Sequence, residues 1–124
     1  MGGKLLLYGF SDLPSILAVE AAAKPFSAEV RPVGREEYRV PLGVLAEGRT
    51  VPAAPFPGAL AGQMIVLCGL DGQVEPLVEA LRRAGAGPSC CKAVLTKNNR
   101  NWDGLRLFTE LQAERQAIEQ MRKR

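Results

Sequence analysis

QMIVLCGL, residues 63–70, is an apolar run without alternation that closes on a glycine followed by one more apolar residue. A strand with one wet face alternates apolar and polar residues, so a continuous run of this length reads as a strand covered on both faces. KLLLYGF, residues 4–10, repeats the pattern, and its Tyr8-Gly9-Phe10 ending matches Cys68-Gly69-Leu70.

Each run is followed by a helix and then a second strand. After residue 70, Asp71 or Gly72 caps a helix whose stripe is Val74, Leu77, Val78 and Leu81, and Gly85 or Gly87 closes it. Cys90–Leu95 is the next strand. After residue 10, Ser11 or Asp12 is the cap, and Pro14 sits in the first turn, where a missing N–H costs nothing. Leu13, Ile16, Leu17 and Ala21 give that helix one apolar face, and Lys24-Pro25 stops it. Ala28–Val33 follows as a strand, with Pro32 marking a strand end or a sheet edge. Residues 5–33 and 65–95 are thus two βαβ-like halves of similar pattern, produced by duplication or by a repeated architecture.

Residues 34–63 form the long connection between the halves. Arg35–Glu47 reads as a broken helical stretch, with Pro41 opening a short helix through Val44, Leu45 and Ala46 that ends at Gly48. Val51–Gly62 carries Pro52, Pro55 and Pro57 and reads as an extended loop without a second core. The 124 residues are therefore expected to make a single domain, 1–124.

The chain ends in a polar corner, Thr96–Asn101, then Trp102 and a helix over 101–124 capped by Asn101 or Asp103. Leu105, Phe108, Leu111, Ile118 and Met121 mark its apolar side, Arg106–Glu110 and Arg115–Glu119 its ion pairs, and Trp102 staples its entry.

Two architectures fit this order. The preferred one is α+β, a ferredoxin-like βαββαβ sandwich with both crossover helices on one face and an additional C-terminal helix, or a dimer partner, on the other. The alternative makes the connection a crossover and gives a small three-layer α/β fold with parallel strands. In the antiparallel arrangement, 69–72 and 96–102 share an edge with the N-terminus, and 9–12 lies at the opposite edge.

The composition, 47% hydrophobic and 23% charged, is that of a packed domain rather than a disordered chain. The net charge of +3 falls in the second half, which has ten basic and seven acidic side chains against six of each in residues 1–62. Arg122, Lys123 and Arg124 supply part of it and suit the end of a helix dipole. That excess is small for a nucleic-acid surface, and the seven aromatics show no basic-aromatic interleaving, so nucleic acid has little support. Cys68, Cys90 and Cys91 have neither CxxC spacing nor even number, and read as reduced, buried thiols of a cytoplasmic protein. The four-residue run of residues 5–8 is too short for a signal core or a membrane span, so no targeting segment and no membrane are expected.

With no histidine, the chain cannot build a Ser-His-Asp or Cys-His nucleophile, an HExxH centre or any His-ligated metal site. GxGxxG after a strand and GxxxxGK[ST] are missing too, so no cofactor and no metal is expected. The best candidate site is the corner, where Thr96, Lys97, Asn98, Asn99, Arg100 and Asn101 gather two cations, three amides and a hydroxyl at a helix N-terminus that favours an anion. Glu110 and Glu114, one helical turn apart, stand behind it as a further pair of carboxylates. Equally ordinary readings exist: Asn residues favour turns, a Glu pair marks a solvated helix face, and Trp102 serves the core.

KAVLT over 92–96, NxxNW over 98–102 and TELQAE over 109–114 resemble the signature of an uncharacterised bacterial family, domain of unknown function 3783. LLYGF, PLGVL and MIVLCGL extend the resemblance more loosely over most of the chain. Lys97 and Asp103 depart from residues common in that family. The resemblance implies a bacterial cytoplasmic domain and no substrate. The expectation is a small non-catalytic domain that binds a small anionic ligand or a protein partner, including a second copy of itself. The alternative is an enzyme acting on a small anionic substrate at the corner.

Overall fold

The structure, a computed structural model, describes residues 3–49, 58–87 and 90–122. Most of the proline-rich loop, residues 50–57, and the final Lys123 and Arg124 lie outside the described residues. The elements in order are β1 (Lys4–Tyr8), α1 (Leu13–Ala23), β2 (Glu29–Pro32), α2 (Leu42–Ala46), β3 (Gln63–Cys68), α3 (Val74–Arg83), β4 (Cys90–Val94) and α4 (Gly104–Arg122). Together they form an α+β fold with a four-stranded sheet in the order β2-β1-β3-β4.

The two apolar runs are the central strands, and they pair antiparallel with Leu6 opposite Val66 at the middle. Alternate side chains point to opposite faces of the sheet. Leu5, Leu7, Ile65 and Leu67 face α1 and α3, where Val19, Ala23, Leu77 and Leu81 complete one core. Leu6, Tyr8, Met64 and Val66 face α2 and α4 and meet Leu42, Leu45, Leu107 and Phe108 in a second. Each fully buried apolar side chain is worth about 1.5–3 kcal/mol, so these strands outweigh any cap or ion pair in holding the fold.

The two crossover helices do share one face and the C-terminal helix covers the other, as in the preferred arrangement. The strand order differs from both expectations. A ferredoxin-like sheet interleaves its halves and is antiparallel throughout, and the alternative is parallel throughout. In this sheet β2 stays parallel beside β1 and β4 parallel beside β3. A tight hairpin would force β2 against β3, but the connection from 33 to 62 carries α2 across the sheet and imposes no such pairing. Each half therefore closes as a local βαβ unit, and the two meet along β1 and β3.

The turns after the outer strands repeat the relation. Pro41, nine residues past β2, bridges Asp103, nine residues past β4. Around that bridge Leu42 N donates to Trp102 O at 2.8 Å, Gly43 N to Arg100 O at 2.8 Å and Gly104 N to Tyr38 O at 3.1 Å. An approximate two-fold axis thus relates β1-α1-β2-α2 to β3-α3-β4-α4.

Caps and faces each follow the sequence in part: α3 packs through the expected Val74, Leu77, Val78 and Leu81, but its N-cap is Gln73, with no side-chain bond, rather than Asp71 or Gly72. Asp12 accepts from Ser15 N at 3.0 Å and Asp103 from Arg106 N at 2.8 Å, which fixes the starts of α1 and α4. The face expected for α1 is corrected. Val19 and Ala23 are buried, whereas Leu13 and Leu17 are 64% and 52% exposed. LPSILAVEAAA is apolar nearly all round, so its periodicity does not select a face. Of the stripe expected in α4 only Phe108 is buried, together with Leu107, which lies outside it; Leu105 and Leu111 are half-buried, and Ile118 and Met121 are 52% and 75% exposed. The helix runs on past the sheet that should cover it.

Candidate functional site

The corner between β4 and α4 is built by two residues that satisfy each other. Thr96 N donates to Asn99 Oδ1 at 2.8 Å, and Asn99 N donates to Thr96 Oγ1 at 3.2 Å. Asn99 Nδ2 reaches back to Val94 O at 3.0 Å, so the buried Asn99 spends its amide on the turn. Lys97, Asn98 and Asn101 are exposed around it. Trp102 is half-buried, packed against the core with the Arg106 guanidinium 4.3 Å from its ring centroid. That stacking replaces the expected Arg106–Glu110 ion pair. Glu110 and Glu114 lie exposed along α4 and do not line the cleft beside the corner.

Arg100 does line that cleft. Its guanidinium bonds Glu47 Oε1 at 3.0 Å, and Arg49 holds the other oxygen of the same carboxylate at 3.0 Å. The cleft has a volume of about 350 Å³ at the sheet edge where β1 begins and β3 ends, and Lys4, Glu29, Glu47, Cys68, Gly69 and Arg100 give it its chemistry. The sheet directions explain the gathering: β1 and β3 are antiparallel, so the first residue of one meets the last of the other. Gly69 turns the chain out of β3 at φ 67, a left-handed conformation that a glycine adopts without strain.

The cleft joins two cations and two carboxylates. Lys4 is half-buried, and its ammonium has no hydrogen-bond or ion-pair partner among the described residues. Burial pushes the Cys68 thiol up to about 11 despite the opposing pull of Lys4. A thiol so placed stays protonated near neutral pH and is a poor nucleophile. Among the described residues no three His, Cys, Asp or Glu side chains cluster to hold a metal, and no helix is long and apolar enough to cross a membrane.

The approximate two-fold axis supplies an internal comparison. The equivalent cleft at the opposite edge, about 500 Å³, is lined by Gly9, Val33, Arg35 and Tyr38. There Gly9 N donates to Tyr38 Oη at 2.9 Å and Arg35 Nε to Gly58 O at 2.8 Å, so its polar groups serve the fold. Tyr38 and Arg100 both stand six residues past their strands. Tyr38 is buried and Arg100 is exposed.

Of the corner residues, then, Arg100 enters a cleft, Thr96 and Asn99 shape the turn, and Lys97, Asn98 and Asn101 stand at its surface. Lys4, Glu29 and Glu47 were not legible as partners of the corner, because strand pairing and α2 bring them there across most of the sequence. A single Lys at the mouth of an apolar strand was the one available signal. No curated protein and no solved structure matches the chain. Residues 63–118, which hold β3, α3, β4 and most of α4, match the model of the family described as Domain of unknown function (DUF3783).

Proposed function

We propose that this is a small non-catalytic domain of the bacterial cytoplasm that binds a small anionic ligand in the cleft beside the Thr96–Asn101 corner. The observation that supports it most is the Lys4 ammonium, half-buried in the same cleft as Arg100 and unpaired among the described residues. An anion there gives the Lys4 ammonium the charge-assisted hydrogen bonds that it makes to none of the described residues, in competition with the Glu29 and Glu47 carboxylates. Glu29 on the same wall favours an anion that also carries a hydroxyl or amino donor, and about 350 Å³ is at the small end for a ligand pocket. Lys97, Asn98 and Asn101, exposed on the same corner, are the further candidates for contact with the ligand.

The test is a thermal-shift series with inorganic phosphate, hydroxy acids, amino acids and sugar phosphates on wild type, Lys4→Ala and Arg100→Ala. A ligand at about a hundred times its Kd stabilises by about 2.7 kcal/mol, close to 10 °C for a chain of this size. Binding should weaken at least tenfold in each variant. Wild type that responds to none of the four classes, or variants that respond as wild type does, would sink the proposal.

A second reading, protein interaction through a homodimer, is favoured by Ile118 and Met121, which α4 carries beyond the sheet at 52% and 75% exposure.

A further inference from the structure

We infer that two copies of this chain associate through the free ends of α4, packed antiparallel about a two-fold axis at Ile118. The inference rests on the homodimer reading and specifies its surface and register.

The end of α4 has one face whose residue types fit a second copy of itself. Leu107 and Leu111 lie against the core, and Ile118 continues their stripe at 3.6-residue periodicity. Glu110, Glu114 and Met121 flank that stripe and are exposed, as is Arg122. Neither Glu110, Glu114 nor Arg122 has an ion-pair partner among the described residues. Glu114 stands four residues before Ile118 and Arg122 four residues after it, both within reach of its face.

An isologous contact pairs each residue with its mirror in the sequence of the other copy. With Ile118 on the axis, Ile118 meets Ile118, and Glu114 of each copy faces Arg122 of the other, so both unpaired charges are matched twice. Met121 lies over the aliphatic stem at position 115. A parallel pairing would set Glu114 against Glu114 and Arg122 against Arg122, and is disfavoured by like-charge repulsion. The surface is short, roughly 15 Å of helix from 113 to 122, which places the contact among small, weak interfaces.

Sedimentation equilibrium of the full chain from about 5 to 500 µM, a range suited to a weak interface, tests this. Wild type should be in monomer–dimer equilibrium. Glu114→Arg and Arg122→Glu should each raise the dimer Kd at least tenfold, since each reverses one charge in both pairs. An equimolar mixture of the two variants should restore association to within about threefold of wild type, because opposite charges then meet at every position. Ile118→Asp should abolish the dimer, while Leu17→Lys on the exposed face of α1 should leave it unchanged. Far-UV circular dichroism of each variant should match wild type. A wild type monomeric across the range overturns both the inference and the homodimer reading. A dimer insensitive to either charge reversal, not rescued by mixing, or broken by Leu17→Lys overturns the inference alone.

Discussion

Asn99→Ala should destabilise the protein by about 2–3 kcal/mol, although it lies in a surface turn. Asn99 is only 8% exposed, and its amide makes two bonds that nothing else can make: Oδ1 accepts from Thr96 N at 2.8 Å and Nδ2 donates to Val94 O at 3.0 Å. Alanine removes both and leaves a backbone N–H and a carbonyl unpaired at the end of β4. An unsatisfied buried group costs about 1–3 kcal/mol, and Thr96 and Val94 are open enough to water to place each near the low end. The sum lowers Tm by roughly 8–12 °C for a chain of this length. Thr96→Ala loses one bond at an exposed hydroxyl, Asn99 N to Thr96 Oγ1 at 3.2 Å, and should cost only about 0.5–1 kcal/mol. Urea unfolding followed by circular dichroism reads these values from the midpoint at constant slope. The sharper comparison is Asn99→Asp, which keeps an acceptor for Thr96 N but turns a carboxylate oxygen toward Val94 O. It should be less stable than Asn99→Ala at neutral pH. A loss below about 0.5 kcal/mol for Asn99→Ala, or an Asp variant as stable as wild type, would refute the claim that this amide closes the corner.

Gly104→Ala should be among the most damaging single substitutions, because its Cβ would collide with the ring of Tyr8, which is fully buried and cannot retreat. Overpacking of this kind costs about 1–3 kcal/mol or more, measurable by urea unfolding or as loss of soluble protein. Raising the pH above 9 should destabilise the fold. Burial pushes the Cys68 and Cys90 thiols up to about 11 from 9.0, so the unfolded chain releases those protons first. Their contribution is complete below pH 9 and is lost as the pH climbs toward 11, at most about 2–3 kcal/mol per thiol. Tyr8, also raised by burial, adds to the same alkaline loss. Urea midpoints between pH 8 and 11 should fall steadily for wild type, and less for Cys68→Ala.

What the sequence revealed follows from where its signals are local. The unbroken runs KLLLY and MIVLC announced strands covered on both faces, and both are central. Asp12, Pro41 and Gly48 marked helix ends through short-range geometry that any fold must satisfy. The strand neighbours were not legible, because a βαβ unit and a split one share the same order of elements and differ only in which edge the second strand reaches. The face of α1 was hidden for a different reason: with Leu, Ile, Val and Ala on nearly every side, the choice between Leu17 and Val19 belongs to tertiary packing. At the corner, the polarity was visible but its direction was not. Asn99 turns inward and Arg100 outward, a difference of one residue that only the Pro41–Asp103 bridge and the Gly43 contact decide.

The approximate two-fold axis separates structural demands from other uses of the same positions. Both halves need a glycine after the central strand, and both supply one in a left-handed conformation: Gly9 at φ 79 and Gly69 at φ 67. Both need a turn after the outer strand that can reach the opposite half, and both provide it nine residues on, at Pro41 and Asp103. Positions equivalent under the axis but unlike in chemistry are therefore the ones the shared architecture did not dictate. Tyr38 turns its hydroxyl onto Gly9 and closes its polar groups on the fold, while Arg100 turns to Glu47 at the mouth of a cleft where the Lys4 ammonium makes no ion pair among the described residues. The first edge ties its tyrosine and its arginine to backbone groups of the fold, and the second keeps an ammonium that makes no hydrogen bond or ion pair among the described residues. That asymmetry, rather than polarity alone, is the reason to look for a ligand at Lys4 and Arg100.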